Sequence, residues 1–308
     1  MAKIARTCRA IFTTPTSHSI SLRCCSGCGW AILMPTSLLP TLMGKPKAND
    51  LLSIPTEVGA ATRRAAVPTQ SRLEMIAAQN NQHTMETRTH VWGQSRRVAA
   101  EAIGTGLLLA AVVGSALMAE QLAAGNTALA LLANSIATAG ALIALITTFL
   151  PVSGAHFNPA LTLAEAWNGR MEWREVPGYI TAQILGGIAG VVVANVMFGH
   201  SAVAIADHER SGFAQLFGEV VATFGLLAVI FGTARKGPER LPMVVGMYIL
   251  AAYWFTASSA FANPALSIAR IFTETNAGIR PADALAFVLA QLVGGALAVL
   301  LFRWFGKK

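Results

Sequence analysis

Residues 151–167 read PVSGAHFNPALTLAEAW, and residues 262–279 read ANPALSIARIFTETNAGI. Each stretch holds an Asn-Pro-Ala triplet, Asn158-Pro159-Ala160 and Asn263-Pro264-Ala265, followed by a short apolar run. Asparagine is a strong helix N-cap and proline suits the first helical position, so both triplets read as helix starts. The runs that follow, about seven to ten residues long, fall well short of the roughly 20 needed to cross a bilayer. They are nevertheless too apolar to sit comfortably in water. Such segments read as re-entrant half-helices, tolerated at membrane depth only where their backbone is buried in protein or lines a water-filled cavity.

The rest of the chain has the composition this reading requires. Of 308 residues, 54% are hydrophobic and 12% charged, against about 25% charged in an average soluble domain. Mean hydropathy is +0.54. These values argue against a cytosolic enzyme and point to a polytopic membrane protein, so the net charge of +8 is no sign of nucleic-acid binding. Six windows of the required length lie at 98–119, 128–150, 179–199, 213–233, 241–261 and 282–302. The charges inside them are Glu101, Glu219 and Asp283. The fold class expected is an all-α membrane protein with six transmembrane helices and two re-entrant half-helices, its partner the lipid bilayer.

Sidedness follows from the short loops, where basic residues stay preferentially cytoplasmic. With the N-terminus inside, the inner set is Arg88, Arg96, Arg97, Arg170, Arg174, Arg235, Lys236, Arg240, Arg303, Lys307 and Lys308, against Arg210, Arg270 and Arg280 outside. An even number of spans then places both termini in the cytoplasm, in a protein of the plasma (inner) membrane.

Residues 1–84 are a different object. They carry nine basic and three acidic residues, all four cysteines (Cys8, Cys24, Cys25, Cys28) and repeated prolines, without a sustained helical or strand period. The reading is a disordered basic tail, either a targeting segment or an extension upstream of a true start at Met85, with 85–97 a cytoplasmic basic flank. Cys25 and Cys28 lack the second pair a zinc site needs, so no metal or cofactor is expected.

The features of the body occur twice, in the same order. Glu101-Ala-Ile-Gly-Thr105 is echoed by Glu219-Val-Val-Ala-Thr223, the first triplet by the second, and Gln183-Ile-Leu-Gly-Gly187 by Gln291-Leu-Val-Gly-Gly295. Each repeat, 98–199 and 213–303 within a domain of 98–308, contains an odd number of spans, so the second copy is inverted relative to the first. Two positive helix ends then meet near the midplane.

With these residues in place, the sequence resembles the aquaporin (major intrinsic protein) family across 98–303. The resemblance implies a homotetramer with a pore through each subunit, passing water or small uncharged solutes passively. Asn158 and Asn263 would donate hydrogen bonds to permeating oxygen atoms; singly, each reads as an N-cap and nothing more. Counting back from the triplets places Thr138, Ala251, Ala260 and Leu266 at the four filter positions, with Leu266 where most members have arginine. The expected filter is wide and uncharged, with the Thr138 hydroxyl as its one polar side chain, and admits solutes such as glycerol, urea or arsenous acid. A connection two residues longer would bring Ile249 in place of Ala251. A bacterial branch associated with arsenic resistance similarly lacks that arginine.

Four further expectations concern the surroundings. Arg270, one helical turn beyond Leu266, either forms a cationic ring at the outer mouth or sits at the membrane surface paired with Glu274; snorkelling favours the surface. Glu101 and Glu219 are expected to satisfy backbone N–H groups of the half-helix connections, with His156 bracing the first of them. Gly186, Gly187, Gly294 and Gly295 allow close helix crossings. An ion-coupled transporter is the competing reading, since inverted repeats with broken helices occur there too, but it would need an ionisable midspan group free to change state. No nucleophile–base set, phosphate loop or metal constellation suggests an enzyme.

Overall fold

A computed structural model describes residues 92–306; the tail at 1–84, with its cysteines, lies outside them. All regular structure among the described residues is helical. The elements are α1 (Gln94–Leu122), α2 (Thr127–Ser153), α3 (Pro159–Trp167), α4 (Val176–Met197), α5 (Phe213–Ala234), α6 (Leu241–Phe255), α7 (Pro264–Ala269) and α8 (Pro281–Phe305). Short connections make successive long helices antiparallel. The start of α1 and the finish of α8 therefore share one end of the bundle, called the near end below.

Local sequence sets the boundaries. The Asn126 side chain accepts from the Leu129 N–H at 3.0 Å and caps α2. That helix stops at Gly154, whose φ of +87° is a left-handed cap that glycine adopts without the steric cost borne by other residues. Both half-helices, α3 and α7, begin as expected, on an Asn N-cap with Pro at the first helical position.

Among the described residues, five helices are long and apolar enough to cross a membrane by length and composition. The sixth span ends earlier than the window expected at 241–261. Helix α6 has 15 residues, about 22 Å at 1.5 Å per residue, preceded by a 3-10 turn at Pro238–Arg240. At Thr256 the backbone becomes extended, and the Thr256 hydroxyl donates to the Ala252 carbonyl at 2.8 Å. Residues 256–262 then lead to α7 rather than continuing the crossing.

Packing follows the repeat. Helix α1 packs on α4 as α5 packs on α8, and each half-helix lies against the last span of the other repeat, α3 on α8 and α7 on α4. The close crossings have identifiable causes. A Cβ on Gly186 would fall on the Ala102 carbonyl oxygen, and one on Gly294 would strike the Val220 carbonyl oxygen and stand 3.0 Å from the Phe224 nitrogen. Gly187 and Gly295 instead face the half-helices: an added Cβ would stand 3.3 Å from the Ala269 Cβ of α7 in one case and 3.9 Å from the Ala160 Cβ of α3 in the other, with a Leu227 methyl of α5 at 3.4 Å.

The distribution of polarity is inverted relative to a water-soluble domain. Leu107, Leu185, Phe213 and Leu289 are exposed on the outside, while Glu101, Gln183, Glu219 and Gln291 are completely enclosed. A bundle that presents apolar side chains outward and satisfies its polar groups internally is suited to lipid as solvent.

Candidate functional site

The site is built from two irregular connections, residues 154–158 and 256–263. Ala155 and Phe157 in the first, and Ala260 and Ala262 in the second, have φ between +48° and +50°. For residues other than glycine this left-handed conformation costs about 1–2 kcal/mol each. It also turns successive N–H groups toward one point, where a buried carboxylate accepts them. Glu101 accepts from the His156 and Phe157 N–H groups at 2.9 and 2.7 Å, and from the Ser153 hydroxyl at 2.6 Å. Glu219 accepts from the Phe261 and Ala262 N–H groups at 2.9 and 2.8 Å.

Each carboxylate is also held by the glutamine of its own repeat. Gln183 donates to Glu101 at 2.7 Å and to the Thr162 hydroxyl at 3.0 Å; Gln291 donates to Glu219 at 2.6 Å and to the Ser267 hydroxyl at 2.9 Å. The glutamines thus tie each last span to the half-helix of its own repeat. The His156 ring meets the Thr162 hydroxyl at 3.1 Å, while its backbone N–H is the group that Glu101 satisfies.

The two triplets meet through reciprocal bonds. Asn158 donates its side-chain amide to the Ala262 carbonyl at 2.8 Å, and Asn263 donates to the Phe157 carbonyl at 2.7 Å. Their amide oxygens accept from the Ala160 and Ala265 N–H groups, both at 2.9 Å. Each Asn is therefore an N-cap and a crosslink at once. One amide hydrogen of each remains, and both residues line a cavity of about 350 Å³. That volume is roughly ten times a water molecule's share of the liquid, about 30 Å³.

The cavity wall includes His156 and Arg170 toward the near end, then Asn158 and Asn263 of the triplets, then Thr138, Ile249, Tyr253, Ala260, Leu266 and Arg270. Thr138, Ala260 and Leu266, counted from the sequence as filter positions, all line this cavity. Ala251 does not: it is exposed on the outer face of α6. The cavity-facing residues of that helix are Leu241, Val245, Ile249 and Tyr253, four apart, and Ala251 is two residues from its nearest neighbours in that row. Two residues are a rotation of about 200°, which carries it to the opposite side. Ile249 enters the wall, as the longer connection would require, and Tyr253 enters with it.

Tyr253 also changes the polarity of the wall, since its hydroxyl lies 3.1 Å from that of Thr138. Arg270 was favoured for the membrane surface, paired with Glu274. It is instead 7% exposed, lines the cavity and makes no ion pair with Glu274 among the described residues.

A clamp at the near end was also missed. Arg97 forms a bidentate pair with Glu175 at 2.9 Å for both contacts and donates to the Tyr179 hydroxyl at 3.0 Å. Tyr179 in turn donates to the Ser153 carbonyl at 2.9 Å, so α1, α2 and α4 are joined where the first connection begins. In the sequence Arg97 signalled only sidedness, because its partner lies 78 residues away.

Apolar helices around a largely apolar cavity into which both triplet asparagines face, with two half-helices meeting head to head at it, define a membrane channel built as an inverted repeat. The model of the major intrinsic protein family matches residues 88–302. Aquaglyceroporin AqpS of Rhizobium meliloti (strain 1021) is 51% identical over 210 residues, which cover 68% of this chain and 90% of that protein. Aquaporin TIP4-4 of Zea mays is 34% identical over 224 residues, 68% of this chain and 86% of that one. The X-ray structure of the aquaglyceroporin from Plasmodium falciparum shares the fold, with a TM-score of 0.57 at 20% identity over 68% of this chain and 96% of that chain. The chain belongs to the major intrinsic protein family, multi-pass membrane channels rather than enzymes.

Proposed function

We propose that this protein is a passive channel for water and for uncharged solutes larger than water, of the size of glycerol, urea and arsenous acid. The observation that carries this reading is Leu266, an apolar side chain in the cavity wall one residue after the second triplet. The same wall offers the Thr138 and Tyr253 hydroxyls, which exchange hydrogen bonds with a hydroxylated solute without requiring charge. The free amide hydrogens of Asn158 and Asn263 orient a passing oxygen, and the positive ends of α3 and α7 disfavour cations there. The name aquaglyceroporin borne by the Rhizobium relative agrees with this solute range.

Ion coupling is disfavoured because Glu101 and Glu219 are each engaged by at least two backbone N–H groups and a glutamine. Neither is free to exchange a coupling ion as transport proceeds. Following the basic residues, the near end faces the cytoplasm of the plasma membrane, and the assembly is a homotetramer with a pore in each subunit.

The test is stopped-flow osmotic response of proteoliposomes challenged with glycerol, urea and arsenous acid beside water. Uptake of at least one of these solutes well above that of empty vesicles is expected. Ala251→Leu, on the outer face, leaves that uptake unchanged. Strictly water-selective flux refutes the proposed solute range, and uphill accumulation under an imposed proton or sodium gradient refutes the passive reading.

A further inference from the structure

Arg270 begins the 3-10 turn that follows α7, so its Cα lies one helical turn beyond Leu266. Side chains on a helix tilt toward its N-terminus, and a residue covers the turn before its own Cα. Because α7 starts at the centre of the cavity and runs outward, this tilt directs the Arg270 side chain back toward the level of Leu266. The contacts agree. Its guanidinium carbon is 3.6 Å from the centre of the Phe261 ring, the residue next to Ala260, and its Nε donates to the Ala277 carbonyl.

Two properties make this guanidinium more than a structural strut. Among the described residues it has no carboxylate at ion-pair distance. Among the described residues its Nη atoms have no protein acceptor, and they are not among the fully enclosed polar atoms left without a partner. With Arg270 in the cavity wall, these donors are available to a solute there. A second guanidinium, that of Arg210, stands 5.0 Å from the same ring and donates to the Gly278 and Asn276 carbonyls, at 3.0 and 2.7 Å. It adds positive potential on the same side.

We infer that Arg270 is the specificity-determining cation of this pore. Standing in the wall beside Thr138, Tyr253 and Leu266, it excludes small cations and offers N–H donors to oxygen-bearing neutral solutes. The cavity that reads as uncharged from the residue after the triplet is in fact charged from the residue one turn later. This inference rests on the channel reading above and adds the group that sets its charge selectivity.

Urea and the guanidinium ion are planar and nearly equal in size, so comparing their uptake isolates charge. The experiment measures labelled urea and labelled guanidinium uptake by proteoliposomes carrying the full-length wild type, Arg270→Gln or Arg270→Lys. The wild type is expected to exclude guanidinium. Removing a buried unit charge from the wall is expected to raise guanidinium uptake at least about tenfold in Arg270→Gln, and Arg270→Lys, which keeps the charge, to remain closed to it. Guanidinium uptake by Arg270→Gln at the wild-type level overturns the inference, as does leakage through Arg270→Lys or free guanidinium entry through the wild type. If Arg270→Gln does not fold, the wild type and Arg270→Lys decide by the same criteria. A wild type that passes water alone refutes the proposed solute range instead, while the guanidinium comparison retains its meaning.

Discussion

Replacing Glu219 by Ala removes the acceptor of three buried donors, the Phe261 and Ala262 N–H groups and the Gln291 amide. A buried donor left without a partner costs about 1–3 kcal/mol, so the loss amounts to about 3–9 kcal/mol. The left-handed residues Ala260 and Ala262 also lose the group that holds them. Glu219→Gln is expected to be milder. Its amide oxygen still accepts, and the Gln291 Oε1, which has no partner among the described residues, becomes available to the new amide after a side-chain flip. Thermal unfolding of detergent-solubilised protein, followed by tryptophan fluorescence and size-exclusion profile, reads the series. The expected order of midpoints is wild type, then Glu219→Gln, then Glu219→Ala, with the last forming little monodisperse protein. An Ala variant that melts within a degree or two of wild type would show that the carboxylate does not organise the connection.

The glycine pairs separate by location. Gly294→Ala drives a methyl into the Val220 carbonyl and is expected to destabilise by about 1–3 kcal/mol, whereas Gly295→Ala meets only a methyl at 3.4 Å and is tolerated; equal unfolding midpoints for the two would refute this assignment. His208, in the loop before α5, is held below its ordinary value of 6.5 by burial first, and then by Arg210 and Arg270, with Asp207 and Glu120 opposing. The folded state then binds this proton less readily than the unfolded chain, so the stability His208 confers is present above about pH 6.5 and lost as pH falls below it. His208→Asn is expected to flatten that part of a pH–melting profile; an unaltered slope would place its origin elsewhere.

The bundle and its half-helices were legible because their signals are local and repeated. Asn before Pro starts a helix whatever surrounds it, and motifs echoed in order imply a second copy. The carboxylates were legible too, since a midspan Glu needs donors and the irregular connections have them. The wall of α6 was not. Counting back from Asn263 assumes a connection of known length, and an error of two residues rotates a helix face by about 200°. Arg270 failed for another reason: axial distance suggested the membrane surface, whereas the tilt of its side chain returns it toward the cavity. The Arg97–Glu175–Tyr179 clamp joins residues 78 and 82 positions apart, a separation at which pairing carries no sequence period.

The reciprocal bonds between Asn158 and the Ala262 carbonyl, and between Asn263 and the Phe157 carbonyl, also constrain how the protein is made. Neither connection is complete until the other repeat has arrived. The first half emerges with its triplet unpaired and waits for a partner 105 residues later, about 5–20 s at ordinary rates of synthesis. During that interval α3 lacks the last span on which it will rest. The first repeat therefore carries an Asn158 amide and a Phe157 carbonyl whose partners are made only with the second, and the bonds that join the triplets can close only when both repeats are present.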